Sequence, residues 1–466
     1  VRYCVWLNRG CFGLVFSLGL LGNVSPAQEK NTELIRMVLE LLNDKDKDMR
    51  SVGLEQVRTE AKGPEATKQF ASQLPRLMPA GQIGLLSALA SRGDASAKPE
   101  VLALLKTSRD DTVRVAAIAA IGELGGTEEL PLLVQMLGSE TIELQNAAKK
   151  SLSRLRGSTV NATLVSEMKN ASSGRIALIE VLVMRRASDS LPQLTTMAVD
   201  QDPKVRQAAM IALAELGDLT QVPGMIQGVL KAGKGAERDA AEKALATVCG
   251  RNTKPELRAE PILAASTKLD ESSQLDLLST VARVGGAKAL AAVETAMNSE
   301  NRMQHDAGLQ ALCKWPDASI ADKLAAMIEK ATNASERSLE FKAFVRIVSL
   351  RNDKRSDQER LTRLKQAMSF ATSPEEKALV LNRCRLAYSV DSMRYVLPYL
   401  DQPMFAGVAC ETIVELAHHR EVREPNKAEF DQVLDRVMQI SQDAVVKDRA
   451  QRYKNGQTWV RPKAGE

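Results

Sequence analysis

An all-α fold, an α–α superhelix of stacked antiparallel helix pairs, is predicted by three features of the sequence. These are its composition, a register of apolar and basic residues that returns along the chain, and prolines and glycines placed where helices begin and end. Only 3% of the 466 residues are aromatic, while 44% are hydrophobic by the broad count and Ala and Leu recur throughout. Closely packed helices suit that mixture better than sheets, whose strands prefer aromatic and β-branched side chains. A chain of this length also buries enough apolar surface to fold without covalent staples.

In chain order, residues 1–27 read as a secretory signal. Arg2 and Arg9 form a sparse basic start, the run from Cys11 to Leu21 supplies an apolar core, and Ser25 and Ala27 place small residues where a signal peptidase needs them. Cleavage between Ala27 and Gln28 is expected. The alternative, an uncleaved anchor, is disfavoured because the apolar run is too short to span a bilayer as a stable helix. A lipoprotein signal would place its cysteine after the apolar core, whereas Cys4 and Cys11 come at or before its start.

Residues 28–315 carry an internal repeat. The stretch from Asp110 to Gly125, with Val113, Arg114, Ala116, Ala117, Ile121 and Leu124, aligns with the stretch from Asp202 to Gly217, with Val205, Arg206, Ala208, Ala209, Leu213 and Leu216. Weaker copies place Arg50 and Arg238 in the same slot. Each copy spells one amphipathic helix, with apolar residues at intervals of three and four, a capping Asp before it, Pro203 in a first turn and Gly125 or Gly217 at the end. A second pattern begins at Pro99, Pro131, Pro192 and Pro223, spaced 32, 61 and 31 residues apart. Each unit is therefore a helix pair of about 31 residues, and one pair alone leaves an apolar flank that only stacking covers.

The Asp-x-x-Val-Arg-x-Ala-Ala-x-x-Ala-Leu-x-x-Leu-Gly register resembles the HEAT-like repeats, which are armadillo-like helical arrays, and in particular the short class known from phycobilisome lyases. The resemblance covers roughly residues 31–315 and implies a HEAT-like solenoid that binds other proteins. The lyase activity is not carried over, because nothing in the chain points to a tetrapyrrole. Residues 316–454 continue as helical repeats, marked by Lys314-Trp-Pro-Asp, by a Ser373/Glu376 capping box and by the run from Tyr395 to Leu400. This half resembles secreted bacterial HEAT arrays, some of which accompany a sugar-directed or haem domain; neither companion is encoded here. Residues 455–466 are expected to be a disordered tail, with fraying from Lys447 onward.

Candidate sites each have a plainer reading. Gly228 to Gly235 has the spacing of a phosphate-binding loop, but Gly235 replaces the required hydroxyl and no strand precedes it, so a turn between helices is expected. Glu411, Glu415 and His418 share a helix face, yet no second Glu-x-x-His pair exists to complete a di-iron site. Arg50, Arg114, Arg206 and Arg238 recur in one register. A basic stripe for an anionic ligand is one reading; structural pairing with acids or helix ends is the favoured one, with His305 as a substitution within that ladder. Among Cys249, Cys313, Cys384 and Cys410, buried packing is expected, with a Cys384–Cys410 bridge as the alternative in an oxidising compartment.

No catalytic, cofactor or metal residues are assigned. Without Arg2 and Arg9 the 63 basic residues fall to 61 against 58 acidic, leaving +3 spread along the chain and no electrostatic footprint for nucleic acid. The expectation is an exported, periplasmic or extracellular, monomeric scaffold that binds another protein, with no transmembrane segment in the mature chain and no enzymatic activity. The alternative is a helical accessory subunit of a secreted sugar-acting or redox enzyme. A DNA-handling protein would require that the signal reading fail.

Overall fold

The computed structural model describes residues 26–170 and 174–459. Among them are 27 α-helices, ten short 3-10 helices and no strand, and no helix is long and apolar enough to cross a membrane. The all-α solenoid expected from the sequence is the fold observed. Residues 1–25, most of the proposed signal, lie outside the described residues, and Ala27 and Gln28 fall in the first turn of helix Pro26–Leu42.

Two compact units divide the chain between Arg185 and Arg186. In the first, the helices that carry the repeated register, Lys47–Thr59, Pro79–Arg92, Asp111–Leu124, Ile142–Arg154 and Arg175–Met184, pack one against the next in a continuous layer. The proline-initiated helices, such as Lys98–Thr107 and Leu130–Met136, form the other half of each pair. Phe70, Leu74, Leu85, Leu89 and Ile118 lie fully buried in this unit.

The second unit repeats the plan. Its register helices Pro203–Leu216, Ala236–Gly250, Glu271–Val284, Arg302–Leu312 and Ala334–Ser349 again stack in succession, and Pro374–Arg383, Pro403–His418 and Ala444–Lys454 continue the layer. Trp315, Phe341, Phe344 and Phe430 fill its core.

Local chemistry explains the element ends. Asp46, Asp110 and Asp202 accept hydrogen bonds from the backbone N–H groups of Asp48, Thr112 and Lys204, which satisfies donors that a first turn leaves unpaired. Pro99, Pro131, Pro192 and Pro223 each occupy the second helical position, where a missing N–H costs nothing. Gly125 and Gly217 close their helices without entering the left-handed region, at φ −85° and −76°. Glycine is needed there for a different reason: a Cβ would stand 2.6 Å from Ile121 O or 2.7 Å from Leu213 O.

One expectation is corrected. The chain does not fray from Lys447, because helix Ala444–Lys454 buries Val446, Ala450 and Tyr453 against its neighbours. Beyond it, Arg449 lies over the Trp459 ring at 4.8 Å and Arg420 donates to Gly456 O, while residues 460–466 fall outside the described residues. The buried packing expected of the cysteines is found for Cys249, Cys384 and Cys410, with Cys313 half-buried, and the alternative Cys384–Cys410 bridge is absent. Both thiols are free, as are Cys249 and Cys313, and burial pushes the Cys384 thiol up to about 12.

Candidate interaction surface

Most charged residues of the repeat register are consumed inside the array. The fourth position of a register helix holds a long donor that reaches back to backbone carbonyls just before its own helix. Arg50 donates to Asp44 O and Lys45 O (2.9 and 2.8 Å), and Arg206 to Asp200 O and Gln201 O (2.8 and 3.0 Å). Arg238, one position earlier in its helix, donates to Leu230 O and Ala232 O (3.1 and 3.2 Å). Leu230 lies in the last turn of Val222–Lys231, whose carbonyls lack intrahelical donors and carry the negative end of the dipole, whereas Asp44, Lys45, Asp200 and Gln201 are turn residues whose carbonyls gain a donor from the arginine. Arg114 instead pairs with Asp111 of its own first turn at 2.8 Å.

The same slot contains residues that a search for arginine passes over. Gln82, Gln145 and Gln274 donate through Nε2 to Leu74 O, Ser139 O and Leu269 O at 3.0, 2.6 and 2.8 Å. The signal was present in the sequence as a position, fourth from the helix start. It was obscured because the requirement is for a donor and not for a charge.

A second set of arginines stitches successive repeats. Arg92 donates to Val57 O, Glu60 O and Ala61 O, and Arg185 to Leu152 O, Ser153 O and Leu155 O. Arg251 does the same for Ala214 O, Glu215 O and Gly217 O. Each guanidinium caps the end of the preceding register helix. Sequence reasoning missed these three, since their partners lie in the neighbouring repeat.

What remains outward is the solvent face of the register helices. On Pro203–Leu216 this face presents Lys204, Gln207 and Glu215. Ile211 shares it at 52% exposure. The reason is geometric: Gln207, Ile211 and Glu215 are spaced by four and so lie on one stripe. Met303 and Met404 are more exposed still, at 71% each.

In the second unit a groove of about 590 Å³ opens across Ala236–Gly250, Glu271–Val284 and Arg302–Leu312. Lys234, Arg238, Glu271, Asn301, Met303 and Gln310 are among its lining residues, so it combines both charges, amides and a flexible thioether. Beneath one wall, Arg283 pairs with Glu242 at 2.9 Å and with Asp239, which also meets Lys243 at 2.8 Å and Lys314 at 3.3 Å.

The other sequence candidates are placed as follows. Gly228 lies in helix Val222–Lys231, and Gly233 to Gly235 form the turn before Ala236–Gly250, with no strand nearby. Glu415 pairs with Arg449 at 2.7 Å, His418 Nδ1 lies 3.0 Å from the Tyr453 hydroxyl, and Glu411 is exposed. These three are not brought together as a metal-binding group. Among the described residues one group of three such donors does converge, at His305, Asp306 and Glu336.

Comparison with known proteins supports the repeat assignment. Residues 77–153 and 162–246 match the family model for HEAT repeats. No curated protein sequence matches the chain. Among solved structures it is similar to Kap121p bound to Pho4p, at 12% identity and TM-score 0.45 over 91% of this chain and 53% of that one. A Kap95p structure with RanGDP shows 14% identity and TM-score 0.42 over 90% and 60%. Human deoxyhypusine hydroxylase in complex with glycerol shows 17% identity and TM-score 0.25 over 62% and 98%. The chain spans about half the length of the Kap121p chain it matches.

Proposed function

We propose that this chain, which matches the family model for HEAT repeats over residues 77–153 and 162–246, is an exported, non-catalytic scaffold that binds another protein along the outward face of its register helices. The observation that carries the reading is the division of labour among side chains. Donors at the fourth helical position and at helix ends are occupied by carbonyls within the array, while the outward stripe keeps residues such as Gln207, Ile211, Met303 and Gln310 for contact. A surface assembled from several helices spreads recognition over many side chains, with a few anchors dominating. Exposed methionine suits that role, since its unbranched thioether adapts to a partner's shape.

Export is the second half of the proposal and rests on the order of basic, apolar and small residues in 1–27. The mature protein is expected outside the cytoplasm with Gln28 at its N-terminus, as N-terminal sequencing of the envelope or culture fraction would report. Soluble cytoplasmic protein that retains residues 1–27 would overturn that half. For binding, the combined substitution Lys234→Glu, Glu271→Lys and Met303→Asp should abolish capture of the partners that the unaltered protein retains from that fraction. Single substitutions at Lys234, Glu411, Glu415 or His418 should leave capture nearly intact. Loss of activity from any one of those four, with unchanged helical circular dichroism, would place a discrete site there and sink the scaffold reading.

A further inference from the structure

The ladder of fourth-position donors contains one rung of different chemistry. In neighbouring rungs an arginine also meets an acid on the next register helix, as Arg206 does with Glu237 at 2.7 Å, Arg238 with Asp276 at 3.3 Å and Arg337 with Glu376 at 3.3 Å. At residue 305 the slot holds histidine, and the acid on the next helix is Glu336. His305 Nδ1 lies 2.5 Å from Met297 O. A carbonyl only accepts, so Nδ1 carries a hydrogen, and Nε2 is the ring atom that faces Glu336 Oε2, 3.7 Å away. Nε2 and the Glu336 carboxylate thus share one space that a guanidinium fills elsewhere in the ladder.

Asp306 completes the cluster, with one ligand atom from each of the three residues within 4.8 Å of the others. An independent feature lies one turn further along helix Ala334–Ser349. Glu340 is only 8% exposed, yet its Oε2 has no hydrogen-bond partner, and burial, with the charge of Glu336 one turn away, raises its carboxyl above the ordinary range. A buried carboxylate oxygen without a donor is costly, and a cation beside it would remove the cost. At present the only cation bridging Asp306 and Glu336 is Arg302, at 3.0 Å from each, on a side chain that is 66% exposed and can swing into solvent.

We propose that His305 Nε2, Asp306 and Glu336 bind a divalent transition cation of the zinc class, whose charge also offsets the buried, unpartnered carboxyl of Glu340 one turn away. One imidazole and several carboxylate oxygens form a donor set suited to zinc, and Nδ1–H held by a backbone carbonyl is the arrangement that orients metal-binding histidines. Zinc–ligand distances of about 2.0–2.2 Å require the three side chains to close inward by rotamer changes as Arg302 withdraws. The ligands come from two helices, with His305 and Glu336 31 residues apart, which is why no short spacing motif marks them. Binding would clamp two successive repeats together.

The test is zinc titration of the full chain by calorimetry, with thermal unfolding followed by circular dichroism. The unaltered protein should bind one more Zn²⁺ than His305→Arg, a variant that restores the side chain of neighbouring rungs, and should gain thermal stability that this variant does not. Glu340→Gln should weaken uptake by about tenfold, as the loss of a supporting carboxylate behind the ligands does. Arg302→Ala should strengthen it, since a competing cation is removed. Should His305→Arg fail to fold, Glu336→Gln serves as the second ligand variant. Equal zinc uptake and equal stabilisation in the unaltered protein and a folded ligand variant would overturn the proposal, as would weaker binding in Arg302→Ala.

Discussion

Asp239 shows how a single residue is recruited into the array. It sits in the first turn of helix Ala236–Gly250 and gathers Lys243 from its own helix, Arg283 from the next register helix and Lys314 from beyond it. The hydrogen bond from Lys243, together with the charges of Arg283 and Lys314, outweighs partial burial and holds the Asp239 carboxyl down at about 2, against an ordinary 3.8. A carboxyl whose folded pKa is depressed contributes stability above its unfolded pKa and loses it as pH falls through the folded one. Asp239→Asn should therefore be less stable than the unaltered protein at neutral pH, and the gap should close between about pH 4 and pH 2. Urea denaturation across that range measures it; a gap that stayed constant with pH would show that Asp239 acts by shape alone. The sequence displayed the acid and the bases but not their meeting, since Asp239 and Lys314 stand 75 residues apart.

At the scale of the element, the same substitution should have opposite signs at two helical glycines. Gly122 lies in helix Asp111–Leu124, and a Cβ there would stand 2.7 Å from Ser151 Cα on helix Ile142–Arg154. Its bare backbone lets the two helices approach until the Ser151 hydroxyl donates to Ile118 O at 2.7 Å. Gly407, within helix Pro403–His418, has nothing within 4 Å of the same position. Alanine gains about 1 kcal/mol over glycine in a helix interior, whereas overpacking against backbone costs about 1–3 kcal/mol. Gly407→Ala should accordingly stabilise by up to about 1 kcal/mol, and Gly122→Ala should destabilise by up to about 2 kcal/mol net. Chemical denaturation of the two variants checks this, and equal stabilisation by both would refute the close approach. Helix existence, caps and initiating prolines were legible from the register; which small residue marks a contact was not.

For the whole molecule, nearest-neighbour stacking makes each interior pair a cover for two others. Removal of residues 187–217, which contain helices Leu191–Met197 and Pro203–Leu216, should cost far more helix signal and stability than removal of 455–466. Unfolding should also depart from a single two-state transition, with hydrogen exchange reporting segments of unequal protection. Equal losses from the two truncations would count against an array. The division at Arg185 and Arg186 falls inside the stretch that the sequence presented as one continuous repeat region, because periodicity records what each repeat is and not how densely successive repeats pack.

The sequence by itself determined the all-helical class, the pairwise repeat, the caps and the slot that holds Arg50, Arg114, Arg206 and Arg238, since all of these are set by spacing within one helix or one pair. Tertiary structure alone decided which carbonyls Arg92, Arg185 and Arg251 cap, that Ile211 faces solvent, and that His305 meets Glu336 with the orphaned oxygen of Glu340 one turn away. The physical reason is common to these cases. Local spacing fixes the direction in which a side chain leaves its helix, but what it meets depends on the rotation and separation of the next repeat, which the packing of many side chains sets together.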